Sequence, residues 1–234
     1  LFPCSDVDLL LLFESERLAL ASREAISAFL QRLWDSGLRI SQSVRTPAEC
    51  LTVHADNPEL NISLLDQRFL AGDRKLYDQL AARLPRFLQA NRDPLVRNLA
   101  KLARERHAKY GDTFYHLEPD VKETPGGLRD YQLVCWLEQL RDGVPPNPEL
   151  ELQDAFAFLA KARGYLHTAA RRDQNVLNFE AQDALAEEAH EGDAGRWMRG
   201  YYRHARAVFR AAIRRIESTE AQSSSLFAQF RDRR

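Results

Sequence analysis

Asp6 and Asp8, separated by Val7, are the residues whose types and spacing most directly suggest chemistry. Leu9, Leu10, Leu11 and Leu12 follow them, a short continuous apolar run of the kind a buried strand shows. Side chains two apart on a strand point to one face, so both carboxylates can converge on one point. Such a pair of hard oxygen donors suits one or two Mg²⁺ ions. Mg²⁺ is held by one or two carboxylates together with substrate phosphates, which makes a triphosphate the natural partner. Spacing alone leaves a plainer alternative open, with Asp6 as a turn or cap residue and Asp8 as a solvated carboxylate at a strand edge. The turn-prone lead Phe2-Pro3-Cys4-Ser5 and the apolar run beyond Asp8 favour the metal reading.

A second chemical stretch is Tyr115 to Gln132, YHLEPDVKETPGGLRDYQ. Two prolines and the pair Gly126-Gly127 make residues 117–127 a loop, and a helix is expected from Leu128 through Leu140. Glu118, Asp120, Lys122, Glu123, Arg129 and Asp130 crowd this turn. A glycine turn lets backbone approach something closely, and a helix starting beside it offers free N–H groups to an anion. An interhelical connection with Arg129 and Asp130 as surface charges is the equally available alternative.

The elements that must position these residues are read from periodicity. Residues 15–34 carry apolar side chains near helical period, Gly37 stops that helix, and Leu38 to Arg45 alternates as a half-buried strand does. Thr46, Pro47 and Glu49 have the N-cap, N1 and N3 identities of a capping box. Helices are expected over residues 57–70, 73–88, 94–110, 149–171 and 196–217, with Leu152, Phe156, Leu159 and Leu166 as core positions and Lys101 to Arg106 as a solvated charged face. Residues 187–195 read as a loop, and the polar, Ser-rich stretch 218–234 as a frayed linker.

Composition bounds the function classes. The 234 residues are 44% hydrophobic and 29% charged, enough for one large or two modest domains. A net charge of −1, from 33 Lys plus Arg against 34 Asp plus Glu, provides no global field for nucleic acid or an anionic membrane. No apolar run has the length of a membrane span and no signal-peptide pattern is present. Cys4, Cys50 and Cys135 are scattered without ligand spacing, so three reduced thiols in a cytoplasmic protein are expected. None of the six histidines has an adjacent Asp, and His107 and His204 read as packed or surface residues rather than ligands. The chain opens without Met and almost directly on a strand, which points to a piece of something longer. A sheet cut in this way would leave unpaired edges able to drive association of the isolated piece.

Taken in order, LFPCSDVDLLLLF, SVRT at Ser43 to Thr46, LLDQRFLAGD at Leu64 to Asp73, LEPDVKETPGGLRDYQ, RRDQNVLNFEAQDALA and MRGYYRHARAV resemble the amino-terminal region of the bifunctional uridylyltransferase/uridylyl-removing enzymes that act on the PII nitrogen-signalling protein. The resemblance implies an α+β, mostly α-helical chain: a truncated polymerase-β-type nucleotidyltransferase sheet over 1–56, a helical-bundle domain over 57–217 and a linker over 218–234. It implies a bacterial, cytoplasmic transferase that moves UMP from UTP to a PII tyrosine, with Asp6 and Asp8 as catalytic metal ligands for Mg²⁺. Ser5 and Arg45 are expected at the nucleotide. Two features depart from the family pattern. The Gly-rich phosphate turn would precede Leu1, and the strand at Leu38 to Arg45 has no third carboxylate. Asp66 and Asp130 are the candidates for that ligand, and Lys122, Gly126, Gly127 and Arg129 for an additional site. The chain alone is therefore expected to be weak or inactive. The uridylyl-removing HD-type domain and the glutamine-sensing domains of the family are expected outside it. A glutamine synthetase adenylyltransferase shares the Gly-Gly-Leu-Arg-Asp element, and a non-catalytic nucleotide-sensing module is a third alternative.

Overall fold

The computed structural model describes residues 2–53 and 58–231. The chain forms two compact units, one comprising Ser5–Asn91 and the other comprising Phe2–Cys4 with the residues from Arg92 onward. This division falls after Asn91, whereas the sequence-based boundary is drawn at 56/57.

In the first unit, strand β1 (Val7–Leu12) is followed by helices α1 (Glu16–Ala21) and α2 (Arg23–Asp35) and by strand β2 (Ile40–Arg45), which pairs with β1 in parallel. The register sets Val7 against Ile40, Asp8 against Ser41 and Leu12 against Arg45. Ser15 caps α1 by accepting from the Leu18 amide. A single helix over residues 15–34 is expected from periodicity; the chain instead makes two helices meeting at Ser22, whose backbone (φ −93°, ψ 4°) leaves the helical region. The Ser22 amide still donates to Leu18 and Ala19, so the apolar stripe continues across the break and periodicity passes over it.

Beyond β2, α3 (Pro47–Cys50) carries the capping box that its sequence announces, with Glu49 accepting from the Thr46 amide at 2.7 Å. Helix α4 (Pro58–Ser63) and a 3₁₀ turn (Leu64–Asp66) lead to α5 (Arg74–Ala90). The helix expected over 57–70 is thus cut short, because Gln67 takes extended backbone; Asn57 lies outside the described residues. Phe69 meets Tyr77 at 5.4 Å in a tilted ring contact, with Arg74 over its ring, rather than extending an α4 face. The core of this unit is Cys50, Leu64, Leu80 and Leu84, with Leu10 and Leu12 of β1 packed against it. Asp6, Asp8, Leu10 and Leu12 share strand parity, so the carboxylates continue the face whose leucines meet that core.

The second unit contains α6 (Arg92–Lys109), α7 (Leu128–Asp142), α8 (Leu150–Ala170), α9 (Phe179–Glu188) and α10 (Ala194–Arg231). Helix α10 packs against the other four. Its stripe Trp197, Tyr201, Ala205, Val208, Ala212 and Ile216 is buried, at the three- and four-residue intervals of one helical face. Two expectations are corrected here. Phe156 is 40% exposed and stacks on Tyr131 instead of entering the core. Helix α10 runs to Arg231, through the stretch read as a frayed linker.

Candidate functional site

Asp6 precedes β1 by one residue and Asp8 is its second residue, and both are exposed. The Val7 amide donates to the Arg39 carbonyl at 2.9 Å, which brings the residue before β2 alongside Asp6. Arg39 Nε then reaches the Asp6 carboxylate at 2.9 Å. Arg39, not among the residues expected at the site, is thus the cation beside Asp6, whereas Arg45 is the one expected at the nucleotide. The register puts Arg45 opposite Leu12, four positions beyond Asp8 and roughly 13 Å along the strand, where its Nε donates to Ser43 Oγ. The pairing register, with Arg39 one residue before the partner of Val7, is the signal that would have found it. Ser5 is half-buried and adjoins Asp6.

Two exposed carboxylates on one strand face fit Mg²⁺, which takes hard oxygen donors and completes its octahedron with water and phosphate oxygens. No group of three or more His, Cys, Asp or Glu side chains that could hold a metal is found among the described residues. Asp66 is exposed on its 3₁₀ turn. A cavity of about 520 Å³ in this unit, bordered by Ser15, Thr46 and Arg83, includes neither Asp6 nor Asp8.

The Gly-Gly element has a different character. Asp120 Oδ1 accepts from the amides of Lys122 and Glu123 at 2.9 and 2.8 Å, folding the loop back. The Leu128 and Arg129 amides donate to the carbonyls of Val121 and Lys122, and those of Asp130 and Tyr131 to Gly127. All four opening donors of α7 are thereby used, so the free N–H groups expected there for an anion do not exist. Gly126 has φ +81°, and a Cβ on it would lie 2.3 Å from the Ala205 carbonyl oxygen of α10. A Cβ on Gly127 would stand 2.9 Å from three loop carbonyls. What the turn approaches closely is therefore helix α10.

Asp130, expected either at the metal or on the surface, is fully buried. Its Oδ1 accepts from Arg106 and lies 2.8 Å from His107 Nε2, and its Oδ2 accepts from the Gly126 amide at 2.8 Å. It is the pin that ties α6 to the Gly-Gly turn. The Lys101 to Arg106 stretch is correspondingly not wholly solvated, since Ala103 is buried and Arg106 turns inward. His107 is packed, as expected, against Phe209. Lys122 and Arg129 are half-buried and both lie 3.6 Å from Glu123. Nothing local in sequence links Asp130 to partners 23 and 24 residues away.

A family model described as GlnD PII-uridylyltransferase matches residues 96–213, half of the chain. The chain belongs to this family. Among similar proteins, the bifunctional uridylyltransferase/uridylyl-removing enzyme of Cupriavidus pinatubonensis is 40% identical over 228 residues, covering 89% of this chain and 26% of that protein. Those of Burkholderia orbicola and Vibrio atlanticus are 35% and 32% identical, covering 95% and 98% of this chain and 28% and 27% of theirs. The uridylyltransferase relationship thus extends beyond the matched helical residues, and the chain spans about a quarter of the length of its curated relatives. No solved structure matches it.

Proposed function

We propose that this chain carries the metal-binding strand and helical region of an enzyme that transfers UMP from UTP to a tyrosine of the PII signalling protein. The observation that carries the reading is the pair Asp6 and Asp8, exposed on one face at the start of a parallel strand in a uridylyltransferase-family chain. The tyrosine hydroxyl oxygen attacks the α-phosphorus of UTP and gives up its proton to solvent; a new O–P bond forms, the bond from the α-phosphorus to the α–β bridging oxygen breaks, and pyrophosphate leaves with that electron pair. When bound, Mg²⁺ supplies charge neutralisation on the phosphoryl oxygens and on the leaving group. The chain's own share is positioning: Asp6 and Asp8 would hold the metal, and Arg39 Nε pairs with the Asp6 carboxylate at 2.9 Å.

Donor choice tests this reading against an adenylyltransferase. The intact protein, supplied with purified PII, Mg²⁺ and either α-labelled UTP or α-labelled ATP, should label PII from UTP alone. Labelling from ATP, or none from either donor by a folded protein, would overturn it.

A further inference from the structure

Arg39 sets a positive charge against a carboxylate that the reading above gives to a divalent metal. Asp6, Asp8 and Arg39 all belong to the unit Ser5–Asn91 and lie at one end of the β1/β2 pair. Asp8 stands opposite Ser41, and two residues earlier on each segment Asp6 Oδ1 meets Arg39 Nε at 2.9 Å. Arg45, the other cation of β2, is opposite Leu12 at the far end. The main chain fixes the place of Arg39, through the Val7 amide donating to its carbonyl at 2.9 Å. Its side chain can therefore be exchanged without breaking the strand pairing. The two paired side chains are 54% and 59% exposed, so solvent surrounds the contact and holds it loosely.

We propose that Arg39 makes this site select the metal–triphosphate complex over the bare metal ion. The proposal rests on the reading of Asp6 and Asp8 given above, and it follows from the sign of one charge. A bare Mg²⁺ or Mn²⁺ is a dication, whereas the same ion on a triphosphate is a net anion. A guanidinium beside the carboxylates repels the first and attracts the second. Oxygens that share one Mg²⁺ each lie about 2.1 Å from it, so a phosphate oxygen on a metal held by Asp6 comes close to the carboxylate that Arg39 already touches. Arginine suits that neighbour, since its planar fork of donors matches phosphate as well as carboxylate. A merely orienting role predicts something else. A partner that only held Asp6 in place would, once removed, weaken bare metal and metal–triphosphate alike. Removing a charge moves the two affinities in opposite directions. Because the pair is solvated, each change is several-fold rather than hundredfold and shrinks as salt rises.

The test measures binding to the intact protein without acceptor. Wild type, Arg39→Gln, Arg39→Lys and a double variant carrying Asp6→Asn and Asp8→Asn are titrated with Mn²⁺ alone, read by the loss of the free-ion paramagnetic signal. They are titrated separately with labelled UTP premixed with Mg²⁺, read by equilibrium dialysis. Mn²⁺ that wild type binds and the double variant does not is counted as this site's. Arg39→Gln should bind that Mn²⁺ about threefold to fivefold more tightly and the Mg²⁺–UTP complex about fivefold more weakly, with both changes shrinking as ionic strength rises. Arg39→Lys, which keeps the charge, should stay near wild type in both. Mn²⁺ affinity unchanged or weakened in Arg39→Gln, or Arg39→Lys behaving as Arg39→Gln, overturns the selectivity role and leaves the metal reading standing. Wild-type binding of Mn²⁺ and of Mg²⁺–UTP by the double variant overturns the reading of Asp6 and Asp8, and the role of Arg39 with it.

Discussion

Asp6 and Asp130 each sit beside an arginine, and burial separates their tasks. The Asp6 carboxylate is 59% exposed, so its pair with Arg39 is screened and contributes at most about 1 kcal/mol. Asp6→Asn and Asp8→Asn should therefore leave the melting temperature of the protein nearly unchanged while lowering UMP transfer about a hundredfold or more, read as kcat at saturating UTP. Asp130 is the reverse case. Replacing it by Ala strips partners from the buried His107 ring, the Arg106 guanidinium and the Gly126 amide. The expected loss is about 3–5 kcal/mol in denaturant unfolding, far beyond any surface substitution. These two aspartates also show what a sequence can and cannot convey. The Asp-x-Asp spacing is local and its consequence follows from strand parity alone. Asp130 looked like a surface or metal-site residue because its partners sit a full loop and helix away, where no local pattern points.

At the scale of elements, the Gly-Gly turn and helix α10 form one fitted contact. Gly126→Ala would combine a left-handed backbone with a Cβ 2.3 Å from the Ala205 oxygen, and should cost about 3 kcal/mol or more. Gly164, within α8 and with open space where its Cβ would be, is the control: Gly164→Ala should stabilise by about 1 kcal/mol. Thermal or urea unfolding of the two variants should move in opposite directions. Helix α10 also carries a pH response. Burial first, and Arg203 second, hold the His204 pKa below its ordinary 6.5, with Asp154 and Glu151 opposing, while its ring stacks on Phe158 at 4.7 Å. The unfolded chain then takes up a proton at a pH where the folded chain does not, so stability falls as pH drops through the ordinary histidine value of 6.5. A His204→Phe variant should lose that part of the decline in a series of melting temperatures against pH; an unchanged slope would contradict it. The helices themselves were legible because apolar side chains recur at their period. The break at Ser22, the early end of α4 and the inward turn of Arg106 were not, since each is decided by single backbone torsions or distant partners.

For the whole molecule, the net charge is −1, and among the described residues no helix is long and apolar enough to cross a membrane. Family membership rests on residues 96–213 and on relatives about four times as long as this chain, while the chemistry is assigned to two carboxylates near its start. The proposal joins the two in one uridylyl transfer. It is tested most directly by labelling purified PII from α-labelled UTP with the intact protein and with its Asp6→Asn and Asp8→Asn variants, at several Mg²⁺ concentrations. Wild type should label PII in a Mg²⁺-dependent way, and both substitutions should abolish that labelling without unfolding the protein. Labelling that persists at wild-type rate in either variant would contradict it.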